Sequence, residues 1–304
     1  MDSVPYVFCE DVLERLSRKN LNTMAELLGH WGIATQRFLE KCRTFNMTIS
    51  KDDEGWWYSI ADENTRDMEN GPHSHEEFLS MDRRYVEFHH IFICVGQSDG
   101  DKFRCSKEEI VRRVVPFLIL RMRPDSTLVF MSDYLKEITL DYYNMFRSCF
   151  SFRHLDLVYV GPESEEFLAL QLQNNPFLCS LTLCSWPQTD ATEQLLLIFL
   201  NSRGNRLLFF RQSSEIQPPL KITIEFVKAA VQSWVGGGER RALFGNAGVT
   251  REEILSIPLP ENVTRTEKEG EQEGDLCVRY TKEDGSSLTC EVRFSIGCIS
   301  INSA

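Results

Sequence analysis

Histidines are the side chains of this sequence with the clearest potential for metal chemistry. His73-x-His75 and the adjacent pair His89-His90 offer imidazole nitrogens of the kind that bind zinc and related ions. No cluster of Cys or carboxylate residues accompanies either pair at the spacing expected of metal ligands. We therefore predict that these are surface or strand histidines, and we expect no metal site.

Other reactive residues stand in contexts that do not favour catalysis. Cys149 and His154 lie near each other without a recognisable nucleophile pattern around them. The glycine-rich stretch WVGGGERR, residues 234–241, follows a predicted helix and lacks a phosphate-binding pattern, so it indicates a helix C-terminal turn. Carboxylate pairs such as Glu165-Glu166 fall on exposed positions. We predict no catalytic residue and no cofactor, and hence a protein that is not an enzyme.

Composition restricts the class of protein and its partners. The chain has 304 residues, of which 42% are hydrophobic and 26% charged, which is typical of a globular protein with a substantial core. Its net charge of −12 repels phosphate backbones, so nucleic acid is not expected as a general partner.

Cysteine usage and the N-terminus indicate the compartment. The ten Cys form no C-x-x-C pair and sit mostly in apolar runs, which favours free thiols in a reducing environment. The start Met1-Asp2-Ser3 has no basic region before an apolar stretch, so no signal peptide is expected. No run of 18 apolar residues predicts a membrane span. We expect a cytoplasmic or nuclear protein.

The elements that must position any functional surface begin with short helices. Apolar residues at offsets of three and four place Phe8, Val12, Leu13 and Leu16 on one face of a first helix, after a helix-starting Pro5. Two further helical segments follow over residues 21–28 and 33–42, separated by glycines. Three short helices in about 40 residues cannot hold a core alone, so they must pack on the rest of the chain, on a partner, or on both.

The spacing of this segment resembles the F-box motif. Val4-Pro5 match its opening L-P pair, and Val12-Leu13-x-x-Leu16 match its I-L-x-x-L triplet. Further along, without a gap, Asn20-Leu21 match its D-L pair, and Leu27 with Trp31 match the Val and Trp of its last helix. The family usually has an acidic residue after the Pro, an Asp before the second Leu, and helix formers where this chain has glycines. The phrases MDSVPYVFC and MDRRYVEFHHIFI also resemble the nematode set of F-box and F-box-associated proteins.

The resemblance implies a partner and a set of contact residues. An F-box docks by helix-on-helix burial on the Skp-type linker subunit of a cullin-RING ubiquitin ligase, with apolar anchors supplying most of the binding energy. The partner-binding residues it implies here are Val4, Pro5, Val12, Leu13, Leu16, Leu21, Leu27, Leu28 and Trp31. The remainder of the chain would then bind a substrate protein.

Alternating strands and helices predict the rest of the fold. A hairpin is predicted over residues 46–62, a strand over 85–96, and a helix over 106–122 that starts with a Ser106–Glu109 capping box. Short apolar strands then recur with spacings of 27, 26 and 26 residues, each followed by a helical segment. The apolar pairs that define this period are Leu128-x-Phe130, Leu155-x-Leu157, Leu181-x-Leu183 and Leu207-x-Phe209.

A period of this length favours a degenerate leucine-rich-repeat solenoid, while an ordinary α/β domain with a parallel sheet is the alternative. The charged stretch 260–275 is expected to be a loop, and residues 276–301 a hairpin around Asp284-Gly285 that covers the last repeat. The predicted architecture is α/β, with an F-box-like helical motif at 1–45 and a repeat domain at 46–304.

Three functions remain open from the sequence. The first is a ubiquitin-ligase adaptor. The second is a leucine-rich-repeat-like binding scaffold whose N-terminal helices only cap the solenoid. The third is a hydrolase on an α/β sheet, which would need a deep pocket lined with His and carboxylates at the strand ends.

Overall fold

The structure is a computed structural model that divides the chain into two compact units. The first unit is Met1–Arg153 and the second is His154–Ala304, so the predicted boundary after residue 45 lies inside the first unit. The residues described are 5–14, 16, 18–63, 75–95, 102–130, 136–202, 204, 206–211, 220–237, 241–269, 272 and 274–303.

The first unit combines helices with a mixed sheet. Its helices are α1 (Tyr6–Leu13), α2 (Arg18–Ala25), α3 (His30–Lys41), α4 (His75–Ser80), α5 (Lys107–Glu109), α6 (Val115–Ile119) and α7 (Lys136–Phe146). Its strands are β1 (Arg43–Asp52), β2 (Gly55–Asp62), β3 (Val86–Val95), β4 (Phe103–Cys105) and β5 (Met122–Phe130). They run side by side in the order β4-β2-β1-β3-β5, with β1, β3 and β5 parallel to one another.

The first hairpin follows its sequence signals. β1 and β2 pair antiparallel with Ile49 opposite Tyr58, and the polar turn closes between Asp52 and Gly55. Gly55 has a positive φ of 123°, a conformation that residues with a Cβ rarely adopt. The predicted hairpin over 46–62 is therefore confirmed, and it places Trp57 and Tyr58 in the core.

The helix predicted over 106–122 is also present, with a local irregularity. The Ser106 hydroxyl accepts a hydrogen bond from the Glu109 backbone N–H, and the Glu109 carboxylate accepts one from the Ser106 N–H, as the capping box predicts. The segment Ile110–Val114 between α5 and α6 is a π-helical turn. Pro116 lies at the start of α6, where its missing N–H is tolerated. Met122 belongs to β5 and not to this helix.

The second unit alternates strands and helices before it becomes purely antiparallel. Its helices are α8 (Pro162–Asn174), α9 (Asp190–Asn201), α10 (Ile224–Val235) and α11 (Arg251–Leu255). Its strands are β6 (Phe152–Val158), which starts just before the division, β7 (Ser180–Cys184), β8 (Arg206–Arg211), β9 (Lys221–Ile222), β10 (Arg241–Ala247), β11 (Val263–Glu269), β12 (Leu276–Lys282), β13 (Ser287–Arg293) and β14 (Cys298–Ser303). β6, β7, β8 and β10 are parallel neighbours, and β14, β13, β12 and β11 follow antiparallel. The predicted mixed α/β class is confirmed.

The predicted repeat slips by one residue at β8. Leu181 and Leu183 on β7 are buried as expected, but they pair with Leu208 and Phe210, not with Leu207 and Phe209. Because side chains alternate across a strand, a shift of one residue exchanges the buried and outward faces. The expected buried pair Leu207-x-Phe209 was therefore wrong, and the last interval is one residue longer than predicted.

The C-terminal segment contains more strand than predicted. The hairpin around Asp284-Gly285 is present, with Tyr280 opposite Leu288 and Gly285 at a φ of 85°. The stretch 260–275, expected to be a loop, instead contains β11, which pairs along its length with β12. Only Val263 of β11 is buried, so the strand has almost no apolar signal in the sequence. β14 joins this antiparallel group to β10.

Candidate partner-binding surface

The three N-terminal helices enclose a small apolar cluster of their own. Its buried members are Cys9, Leu13, Leu21, Ala34, Phe38 and Cys42. Partly buried residues from the same helices pack against it, together with Tyr85 from the turn before β3. Each helix thus contributes an inward face to the cluster.

The first helix buries a different face from the one predicted. Cys9, Leu13 and Leu16 point toward the cluster, whereas Phe8, expected beside Leu13, is exposed. One residue along a helix corresponds to a rotation of about 100°, so Phe8 and Cys9 point in very different directions, while Leu13 and Leu16 belong to the buried face as predicted. The Cys9 side chain is fully buried, whereas the Phe8 ring is 53% exposed.

The nine residues that the sequence implies as partner contacts fall into three groups and one exception. Pro5, Leu27 and Leu28 are exposed; Val12, Leu16 and Trp31 are partly buried; Leu13 and Leu21 are fully buried; Val4 lies outside the described residues. In this arrangement Leu13 and Leu21 support the helices from inside and offer a partner no surface.

Exposed apolar side chains are concentrated on α1, on α3 and in the connection between α2 and α3. Leu28 is 99% exposed, and Val7, Phe8, Leu27 and Ile33 are each between 52% and 59% exposed. Single exposed apolar residues are normal on a protein surface, but several on one short segment are typical of a binding surface. We call these five residues the apolar surface of the helical segment.

Three members of this surface were not among the predicted contacts: Val7, Phe8 and Ile33. A signal for the first two exists in the sequence. The segment from Tyr6 to Leu13 contains six apolar residues in eight positions, more than one face of a short helix can bury. The excess must either face solvent or meet a partner.

The connection between α2 and α3 depends on a glycine. A Cβ added at Gly32 would lie 1.9 Å from the backbone carbonyl oxygen of Leu27, so only glycine permits this approach. The Gln36 side chain donates a hydrogen bond to the Ala25 carbonyl at 3.2 Å, which also holds the connection against α3. This chain has glycines where the F-box pattern has helix-forming residues. Gly32 has a structural role, because it permits the close approach to the Leu27 backbone in the connection that carries Leu27 and Leu28 at the surface.

A buried carboxylate attaches α1 to the rest of the first unit. Glu10 accepts a hydrogen bond from the Tyr85 hydroxyl at 2.6 Å, and Arg84 and Lys41 lie 3.4 and 3.7 Å from its oxygens. Burial and this hydrogen bond raise the pKa of Tyr85. The hydroxyl also accepts a hydrogen bond from Lys41 at 3.1 Å. Because the charge of Glu10 is removed from water, these partners are needed to keep it in place.

The cysteine considered as a nucleophile is in an unsuitable environment. Cys149 is buried, and burial raises the pKa of its thiol to about 11. A nucleophilic cysteine requires the opposite shift, because the thiolate is the reactive form.

The histidines of β3 do have a carboxylate partner. Glu63, which directly follows β2, lies beside His89 and His90. The sequence did not reveal this arrangement, because Glu63 and the histidine pair are separated by more than 20 residues. The two histidines lie in the strand predicted for them.

Within the described part of the chain, no helix combines the length and the apolar character needed to cross a membrane. Comparison of the chain with models of known protein families, with curated proteins and with solved structures finds no match.

Proposed function

We propose that this protein is a substrate-recognition adaptor of a cullin-RING ubiquitin ligase. Its N-terminal helices would bind the Skp-type linker subunit, and the α/β remainder would bind a target protein. The observation that carries the proposal is the apolar surface of the helical segment, because five exposed apolar side chains on α1, on α3 and in the connection before α3 need a partner to leave water.

The sequence resemblance and the helix positions support the same partner. Pro5 directly precedes α1, Leu21 lies within α2, and Trp31 lies within α3, so the matched pattern extends over all three helices. The free energy of binding to the linker subunit would come from the exposed apolar residues. Complete burial of one exposed Leu or Phe side chain contributes about 1.5–3 kcal/mol, so these residues would be a main source of the binding energy.

The repeated strands and helices of the second unit support a role in binding the target protein. Parallel strands β6, β7 and β8 are separated by helices, and their paired residues are 26 or 27 positions apart, as in a degenerate leucine-rich repeat. In such an adaptor the target would be brought close to the ubiquitin-transferring machinery, and this chain would supply no reacting group. An adaptor of this kind would act in the cytoplasm or nucleus, which suits a chain whose ten cysteines are all free.

The alternative function is a binding scaffold whose helices only cap the first unit. Its support is the attachment of α1 to the α/β elements. Glu10 bonds Tyr85, and Glu14 forms an ion pair with Arg121 at 3.0 Å, next to the start of β5. Leu13 and Leu21, which matched the F-box pattern, are used entirely within the cluster.

The two functions are separated by the affinity of the intact chain for the purified linker subunit. We expect binding with micromolar or better affinity, measured by calorimetry. Leu28→Asp should weaken it at least tenfold, because a charge would replace the most exposed apolar side chain of the surface. Leu28 contributes nothing to the fold, so this variant should remain folded.

The matched control is Ile198→Asp on α9, a residue that is 58% exposed and lies outside the helical segment. We expect this variant to bind like the natural sequence. If the intact chain does not bind the linker subunit, the adaptor proposal fails and the scaffold function is preferred. Equal loss of binding in both variants would show that the contact lies elsewhere.

A further inference from the structure

A β-bulge in β3 brings two consecutive histidines to the same side of the sheet. The neighbouring strand β1 pairs Phe45 with Phe88 and then Asn46 with His90, so His89 is an extra residue without a pairing position. On the other side, Phe88 pairs with Met122 of β5 and His90 pairs with Thr127, so this pairing is also irregular at His89, with the extra residues in β5. An extra residue of this kind turns its side chain out of the normal alternation.

The burial pattern agrees with this geometry. Phe88 and Ile91 are buried, whereas His89 and His90 between them are both partly exposed. Their ring centroids are 4.1 Å apart. The Ser126 hydroxyl donates a hydrogen bond of 2.8 Å to the Phe88 carbonyl, which fixes the backbone where the bulge begins. Adjacent residues of a regular strand would point to opposite faces.

A carboxylate completes the group. The Glu63 backbone N–H donates to the Thr44 carbonyl at 2.9 Å, which continues the β2 pairing by one residue and places the side chain beside the bulge. Glu63 Oε1 lies 2.8 Å from His89 Nδ1 and 3.9 Å from His90 Nε2. The neighbouring Asp62 accepts two hydrogen bonds from Arg43, at 2.9 and 3.1 Å, and its charge is thereby compensated.

We propose that Glu63, His89 and His90 bind a divalent transition-metal ion of the zinc type. The three ligand atoms lie within 4.8 Å of one another. Zn²⁺ binds nitrogen and carboxylate oxygen at about 2.0–2.2 Å, so two ligands of one tetrahedral ion are about 3.4 Å apart. The distances of 2.8 and 3.9 Å from Glu63 Oε1 to the two histidine nitrogens fall on either side of that value.

Exposure suits the proposed ion. The side chains of Glu63, His89 and His90 are 34%, 37% and 31% exposed, so an ion can reach them and retain a water molecule in the fourth position. The bound ion would connect the end of β2 to the bulge of β3. This inference does not depend on the proposed ligase function.

The site is tested by titrating Zn²⁺ into the intact chain at neutral pH, with histidine ring nitrogens observed by NMR. We expect one ion per chain and shifts of the His89 and His90 ring resonances. The double variant His89→Gln/His90→Gln should weaken that binding at least 100-fold. Glu63→Gln, a change at a partly exposed side chain, should weaken Zn²⁺ binding about tenfold. The matched control is His30→Gln, an exposed histidine at the start of α3, which should leave the affinity unchanged.

The ring resonances are measured on the natural sequence, so the result does not depend on whether the variants fold. Zn²⁺ binding that leaves the His89 and His90 resonances unmoved would overturn the site and assign the ion to cysteine thiols. Unchanged affinity in the double variant would overturn it equally.

Discussion

At the scale of single residues, Gly32 shows how one position determines the candidate surface. Glycine is a poor helix former, about 1 kcal/mol worse than alanine in a helix interior. It is nevertheless placed inside α3, because the Leu27 carbonyl oxygen occupies the space of its absent Cβ. The approach of these two backbones holds Leu27 and Leu28 in their exposed positions.

We expect Gly32→Ala to lower the free energy of unfolding by about 1–3 kcal/mol. Helix propensity alone predicts the opposite, because alanine is a better helix former than glycine. The reason is that the new methyl group meets a backbone atom, which cannot rotate away. Urea denaturation measures the change. Gly236→Ala is the control, since Gly236 has a φ of −69° and its added Cβ would come no closer than 3.4 Å to another atom. It should be neutral or slightly stabilising. A stabilised Gly32→Ala variant would contradict the close approach.

At the scale of elements, β8 and β11 illustrate two different difficulties of strand prediction. The sequence RLLFFR of β8 has four consecutive apolar residues, so its alternation does not identify the buried face. Pairing with β7 places Leu208 and Phe210 on the buried face of the strand. β11 has the opposite problem, because charged residues dominate it. Charged strands of this type are common at the border of a sheet, where they discourage pairing with other molecules.

The face of β8 can be tested with two adjacent leucines. Leu208→Ala should lower the free energy of unfolding by about 2–5 kcal/mol, because Leu208 is fully buried. Leu207→Ala removes the same atoms from a partly exposed side chain and should lower it by about 1 kcal/mol or less. The midpoints of urea unfolding of the two variants provide the comparison. Equal losses, or a larger loss for Leu207→Ala, would favour the face predicted from the sequence.

At the scale of the whole molecule, buried thiols and tyrosines affect how stability depends on pH. Burial raises the pKa of Cys149 to about 11 and that of Cys290 to about 12, from an ordinary value of 9.0. Burial also raises the pKa values of Tyr58, Tyr142 and Tyr280. All of these groups keep their protons in the folded chain at a pH where the unfolded chain releases them.

The free energy of unfolding should therefore be independent of these thiols below pH 9 and should fall as the pH rises from 9 toward 12. Each fully shifted group contributes a slope of about 1.4 kcal/mol per pH unit, since the folded chain holds one more proton than the unfolded chain. Urea unfolding at a series of pH values measures the slope. The double variant Cys149→Ala/Cys290→Ala should decline less steeply. A constant stability between pH 9 and 11 would be inconsistent with burial of these thiols.

The sequence by itself determined the local elements of this protein. Helix periodicity, the Ser106–Glu109 capping box and the Asp284-Gly285 turn act over a few residues, and the helices and hairpins they predict are present. The α/β class followed from the order of those elements.

Long-range contacts determine which side chains face inward and which distant residues meet. Cys9 and not Phe8 belongs to the buried cluster of the three helices, and Leu208 is placed on the buried face by its pairing with β7. Glu63 meets His89 and His90 at a bulge of β3 opposite β1. Contacts of this kind join residues far apart in the chain, and local spacing contains no information about them.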